Sequence, residues 1–151
     1  MIKKKRYLLL AILWMMFVFY LSHQPADISS SQSGGVINLL SNLPVIGGVI
    51  EYMMEIDIAE FVIRKSAHMF AYFVLAILWF MSMYENKINL KNISIVSFVM
   101  TFLFACSDEY HQTFVNGRSG EFRDVLVDST GAIIGLILAC VVVRYRKNKQ
   151  N

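Results

Sequence analysis

Four long runs of apolar residues divide the chain, and short polar segments separate them. The runs cover residues 7–22, 65–84, 93–107 and 125–143. A helix that crosses a bilayer needs about 20 predominantly apolar residues. The pattern therefore predicts an all-α fold, a bundle of four transmembrane helices that forms a single membrane domain over residues 1–151.

The segment between the first two spans has a different pattern. It contains no Lys or Arg over residues 23–60, and it begins with a stretch rich in Ser, Gln and Gly at 29–35. We expect residues 36–40 and 49–61 to form helical pieces that lie at the outer interface of the membrane that the spans cross. Composition leaves open whether residues 29–61 form an ordered lid or a loose surface segment.

The first apolar run also has the basic start of a signal peptide. A cleaved signal needs small residues around the cut, whereas this run ends in the bulky sequence Phe19-Tyr20-Leu21 and has no A-x-A-like site after it. We therefore favour a first transmembrane helix that is retained.

Composition agrees with a membrane protein, because 56% of the residues are hydrophobic and 17% are charged. These values exclude a disordered, collagen-like or disulfide-scaffold chain. The net charge of +3 does not predict nucleic-acid binding, since most Lys and Arg lie at the termini and in one short loop.

The distribution of charge predicts the orientation. Ten Lys or Arg and one acidic residue lie in the N-terminus, the 85–92 connection and the C-terminal tail. The other two loops hold four Lys or Arg and ten acidic residues. The positive-inside rule then places both termini in the cytoplasm. In this arrangement Cys106 and Cys140 lie roughly 22 Å apart in depth, so we expect no disulfide.

Ionisable residues cluster at one end of the predicted bundle, where charges are costly. On the second span Lys65, His68 and Tyr72 are spaced i, i+3, i+7 and share a helical face. Arg64 is expected to point elsewhere, toward lipid headgroups. The alternative is that Lys65 extends along the helix end to water and that His68 is a packing residue.

The third span ends in a second polar group. Asp108 and Gln112 are four residues apart and stack on one helical face, and Glu109 and His111 lie beside them. The loop that follows contains Asn-Gly and Ser-Gly pairs, which favour turns, and it presents Arg118 at the mouth of the bundle.

The fourth span begins with Asp124 and Asp128. Asp124 suits a helix N-terminus, where the helix dipole favours a carboxylate. Asp128 lies one turn inside the apolar run, so it needs a partner, for which Arg118, Lys65 and His68 are the candidates. A structural ion pair and a functional carboxylate both remain open for Asp128.

Gly131 and Gly135 form a GxxxG motif on the same span, which lets two helix backbones approach closely. The contact is either within the bundle or in an oligomer.

The polar residues of the three spans predict one outward-facing pocket. Its expected residues are Lys65, His68, Tyr72, Asp108, Glu109, His111, Gln112, Arg118, Asp124 and Asp128. No P-loop, HExxH motif or Cys/His ligand spacing is present in the sequence, so it predicts no metal and no cofactor.

Several ordered blocks resemble the VanZ-like family of small bacterial membrane proteins. The blocks are Ser22-His23-Gln24-Pro25, Arg64-Lys65-Ser66-Ala67-His68 with Tyr72, Ser107-Asp108-Glu109-Tyr110-His111-Gln112-Thr113-Phe114 with Gly117-Arg118, and Asp124-Val125-Leu126-Val127-Asp128-Ser129-Thr130-Gly131 with Gly135. One departure is Ser129, where the family pattern favours Asn. The resemblance implies a multi-pass protein of the bacterial cytoplasmic membrane, with a cell-envelope role linked to teicoplanin resistance and no agreed reaction.

Three functions fit these residues. The first is a non-enzymatic envelope factor whose pocket binds a phosphate-bearing lipid or cell-wall precursor, with Arg118 and Lys65 pairing with phosphate. The second, less favoured because no reaction-specific motif is present, is an enzyme acting on a lipid headgroup, with a histidine as acid or base and a carboxylate as its partner or as a metal ligand. The third is lipid or proton-linked transport.

Overall fold

The structure is a computed structural model that describes residues 2–84 and 89–150. All regular secondary structure in these ranges is helical, which confirms the predicted all-α fold. The helices are α1 (Ile2–Ser22), α2 (Ala26–Ser41), α3 (Gly47–Glu55), α4 (Ala59–Met83), α5 (Leu90–Gln112) and α6 (Phe122–Gln150).

Among the residues that the structure describes, four helices, α1, α4, α5 and α6, are long and apolar enough to cross a membrane. The four predicted spans lie on them. Helices α4, α5 and α6 extend beyond those spans toward one end of the bundle, where α1 and α5 end and α4 and α6 begin. We call this end the site end, because the polar residues singled out in the sequence lie there. Most of these polar side chains contact a side chain of a neighbouring helix, and these contacts allow the helices to extend past their apolar runs.

Helix α4 is the centre of the bundle, and it packs against α6, α1 and α5. Toward the site end the core contains Ala11, Tyr72, Leu75 and Val125, all buried. The indole Nε1 of Trp14 donates a hydrogen bond to the Ala71 carbonyl at 2.9 Å, which ties α1 to α4.

The glycines of the GxxxG motif face α4 of the same chain. A Cβ atom at Gly131 would lie 2.1 Å from the carbonyl oxygen of Met69, and one at Gly135 would lie 2.5 Å from that of Phe73. Any larger side chain would therefore overlap the α4 backbone. This face of α6 is covered within the chain, so an oligomer contact would need another surface.

The segment between α1 and α4 is more helical than the sequence pattern predicted. The piece predicted at 36–40 belongs to α2, which begins at Ala26 and includes the Ser-rich stretch. Ser29 and Ser33, one turn apart, are buried, and the Ser30 hydroxyl donates to Glu60 Oε1 at 2.6 Å. Tertiary contacts thus override the weak helix preference of Ser and Gly.

The piece predicted at 49–61 is two helices rather than one. Helix α3 ends at Glu55, and Asp57 takes a left-handed conformation with φ 58° before α4 begins. The Ile58 amide donates to the Met53 carbonyl at 3.0 Å and the Asp57 amide to the Met54 carbonyl at 3.1 Å. This is a Schellman motif, which stops α3 and turns the chain into α4.

Two further expectations concern the rest of the chain. Cys106 and Cys140 are both free, as predicted. The 85–92 connection, which contributes to the predicted orientation, includes residues 85–88, and these lie outside the described residues.

We expect Gly131→Ala to lower the thermal unfolding temperature of the purified protein in detergent. The added methyl group overlaps the α4 backbone, and overpacking of this kind costs about 1–3 kcal/mol. The matched control is Gly34→Ala in α2, because a Cβ atom there meets nothing within 4 Å. Alanine favours the helix, so this control should unfold no earlier than the wild type. Equal unfolding temperatures for the two variants would contradict the close contact.

Candidate functional site

Asp108 joins three parts of the site end through one carboxylate oxygen. Its Oδ2 accepts hydrogen bonds from the Ser22 hydroxyl at 2.7 Å, the Tyr72 hydroxyl at 3.2 Å and the Gln112 amide at 3.4 Å. The side chain is fully buried. Since Ser22 lies at the end of α1 and Tyr72 near the middle of α4, this carboxylate connects α1 and α4 to α5.

Two pairs of residues connect α4 to α6, about one helical turn apart on each helix. Lys65 is bonded to Asp124, and Nδ1 of His68 lies 3.8 Å from Oδ1 of Asp128. The lysine and histidine are one turn apart on α4, and the aspartates are one turn apart on α6. The two helices therefore run side by side in a register that matches both pairs, although the sequence left the partner of Asp128 open.

Glu109 faces the loop between α5 and α6. Its Oε1 accepts from the Gln112 amide at 2.8 Å, and its Oε2 accepts from the backbone N–H of Glu121 at 3.1 Å. A Cβ atom at Gly120 would lie 2.2 Å from the Glu109 carbonyl oxygen, so the loop packs directly on the end of α5. Glycine at this position permits that approach.

The loop places Arg118 over the bundle. Gly117 has φ 73°, a left-handed conformation that suits glycine, in the turn that the Asn-Gly pair predicted. The guanidinium donates to Oε1 of Gln112 at 3.2 Å and to the Leu21 carbonyl at 3.4 Å. Burial lowers the pKa of Arg118, and the nearby Arg64 lowers it further. Two cations are thus held close together in a partly buried place.

A cavity of about 230 Å³ lies at the site end between α4, α5, the loop and the start of α6. Five of its lining residues are among those that the sequence predicted for the pocket. They are Lys65, His68, Gln112, Arg118 and Asp124, joined by Phe61, Arg64, Gly117, Ser119 and Glu121.

Three predicted residues meet deeper in the bundle. A ligand atom from each of His68, Glu109 and Asp128 lies within 4.8 Å of the other two. His68 also lines the cavity, so this group adjoins the cavity wall. Neither carboxylate oxygen of Asp128 has a hydrogen-bond partner among the described residues.

His111 lies away from this group. Its Nε2 is 3.0 Å from Nδ1 of His23, and its ring packs on Phe19 with 4.5 Å between the ring centres. His111 follows Asp108 by three residues, so both face α1, whereas Glu109 faces the loop. His111 does not line the cavity, and neither do Tyr72 and Asp108, which the sequence also predicted for the pocket.

The sequence pattern missed three contributors. Arg64 lines the cavity instead of pointing elsewhere, because it lies one turn before His68 on α4. Ser22 supplies a hydrogen bond to Asp108, and the Glu121 amide supplies one to Glu109. The i, i+4 spacing of Arg64 and His68 was a usable signal, whereas nothing local indicated the other two contacts.

Comparison with known proteins gives one family. The chain matches the family model described as VanZ/LLP1 over residues 7–143. No curated protein matches it, and neither does any solved structure.

We expect Asp108→Ala to destabilise the protein in detergent by about 2 kcal/mol, because it leaves three buried donors without an acceptor. Ser107→Ala is the matched control, since Ser107 is the preceding residue on α5 and is exposed. The measurement is thermal unfolding of both variants beside the wild type. Equal unfolding temperatures of Asp108→Ala and Ser107→Ala would show that the three hydrogen bonds do not stabilise the contact between the helices.

Proposed function

Because the chain belongs to the VanZ-like family, we propose that it is a multi-pass protein of the bacterial cell envelope that binds a phosphate-bearing lipid or envelope precursor and lowers sensitivity to teicoplanin. Four helices that are apolar and long enough to cross a membrane support the multi-pass character. The cavity at the site end supports the binding role.

The observation behind this proposal is the set of cations at the cavity. Arg64, Lys65 and Arg118 all line it. Lys65 is neutralised by Asp124, and Arg64 lies 3.8 Å from Glu60. No carboxylate of the described residues forms an ion pair with Arg118. A guanidinium that is partly buried in this way favours an anion, and its planar donors fit phosphate oxygens.

A second cavity adjoins the first and has a mainly apolar lining. It has a volume of about 200 Å³ and lies between α1, α2 and α4. It shares Arg64, His68 and Arg118 with the first cavity. Its other lining residues are the apolar Leu21, Val36, Ile63 and Ala67 and the polar Ser29, Gln32 and Ser33. A ligand with a phosphate group next to an apolar chain matches this pair of cavities better than free phosphate does.

The charge distribution supports an outward-facing site. Positive-inside topology puts the basic termini in the cytoplasm, and the site end, to which α1 and α5 lead, then lies on the outer side. We therefore place the bound headgroup at the outer surface of the cytoplasmic membrane.

We expect Arg118→Ala to weaken binding of phosphatidic acid about 10-fold or more, because a charge-assisted hydrogen bond contributes about 1.5–3 kcal/mol. The matched control is Arg123→Ala, since Arg123 is exposed at the start of α6 and does not line the cavity. Native mass spectrometry of the full chain in detergent measures the bound lipid.

Phosphatidylcholine, diacylglycerol and inorganic phosphate are the comparison ligands in that experiment. Stronger retention of phosphatidic acid than of the other lipids supports the headgroup site, and equal retention of diacylglycerol would contradict it. Equal binding of inorganic phosphate would assign the site to a free anion instead of a lipid.

We expect the wild-type protein to raise the inhibitory concentration of teicoplanin, and not that of vancomycin, in a sensitive Gram-positive host. Arg118→Ala should return this value to that of the empty vector, while Arg123→Ala should keep the wild-type effect. Immunoblots of the membrane fraction match the protein levels. Protection that persists in Arg118→Ala would separate resistance from the cation-lined cavity.

A further inference from the structure

We infer that His68, Glu109 and Asp128 bind one divalent transition-metal ion, of the Zn²⁺ or Mn²⁺ class. The three residues come from α4, α5 and α6, so the ion would link the three helices at the site end. The inference does not depend on lipid binding, since the three side chains carry it alone.

The distances suit an ion after small side-chain movements. The three ligand atoms lie within 4.8 Å of one another. In a tetrahedral site with bonds of about 2.1 Å, ligand atoms are separated by roughly 3.4 Å. Side-chain rotations that move each atom by about 1 Å would bring the three atoms to the separation of such a site.

The environment of Asp128 is the second, independent observation. Its side chain is 0% exposed, and both of its oxygens lack a hydrogen-bond partner among the described residues. Among the described residues the basic atom beside it is Nδ1 of His68, at 3.8 Å, which is too long for a hydrogen bond. A buried carboxylate without partners is costly, and a bound cation removes this cost.

Other ways of satisfying Asp128 fit less well. Protonation would neutralise the carboxyl group, but Nδ1 of His68, which could then accept from its O–H, lies 3.8 Å away. Lys65, the nearest lysine on α4, is bonded to Asp124. A doubly charged ion would instead balance the two carboxylates and coordinate the imidazole in one step.

The surroundings of Glu109 resemble an outer ligand shell. The Gln112 amide and the Glu121 backbone N–H each donate to one of its oxygens, and this fixes the orientation of the carboxylate. Hydrogen bonds of this kind hold metal-binding carboxylates in position. Each oxygen keeps a further lone pair for a metal ion.

The ligand types decide the class of metal. Imidazole favours transition metals such as Zn²⁺, whereas Mg²⁺ and Ca²⁺ prefer oxygen ligands only. Three protein ligands leave at least one coordination position for water or an anion. Since His68 also lines the cavity, an ion can reach the site from there.

The test is titration of the full chain, without a polyhistidine tag, with Zn²⁺ in detergent by isothermal calorimetry. We expect one ion per chain, and a higher thermal unfolding temperature with Zn²⁺ than with Mg²⁺. We expect Zn²⁺ binding to weaken about 10-fold or more in each of three variants, His68→Ala, Glu109→Gln and Asp128→Asn. Loss of even an outer-shell partner weakens metal binding about 10- to 100-fold, and these residues are the proposed ligands themselves.

The His23 and His111 pair provides the control, because its ring nitrogens lie 3.0 Å apart and offer another place for Zn²⁺. His23→Ala should keep the wild-type affinity. Loss of binding in His23→Ala but not in His68→Ala would overturn the inference, as would absence of Zn²⁺ binding by the wild type. Unchanged unfolding temperatures of metal-free His68→Ala and Glu109→Gln would show that lost binding is not lost folding.

Discussion

The close contact between the backbones of α4 and α6 is the constraint on which the site depends. Gly131 and Gly135 allow the two helices to touch over successive turns. Asp124 and Asp128 lie on the same stripe of α6 as these glycines, so they meet Lys65 and His68 on α4. A wider separation of the helices would break both pairs and open the wall of the cavity.

Two fully buried carboxylates at this end have different surroundings. Asp108 accepts three hydrogen bonds on one oxygen and connects three helices. Asp128 accepts none from the described residues and lies beside His68 and Glu109. Because a buried carboxylate is stable only with partners, the first fits a structural role and the second fits a ligand-binding role.

His68 connects the two proposals. It borders the cavity that is lined by the basic side chains, and it belongs to the group with Glu109 and Asp128. An anion above and a metal ion below would each place a charge next to this imidazole. The cavity lined by basic side chains favours an anion, and the neighbouring carboxylate group favours a cation. Two such adjacent sites suit an ionic headgroup at a membrane surface.

The sequence by itself determined the helical class, the four long apolar helices and the residues of the polar end, because these depend on local hydrophobicity and helical spacing. It also indicated the glycine contact and the turn at Gly117. Only the tertiary structure decided that α2 includes the Ser-rich stretch, that His111 turns to His23, and that Ser22 reaches Asp108. These features depend on contacts between residues far apart in the chain, and side-chain pairing across helices is set by how the helices pack, which no local pattern encodes.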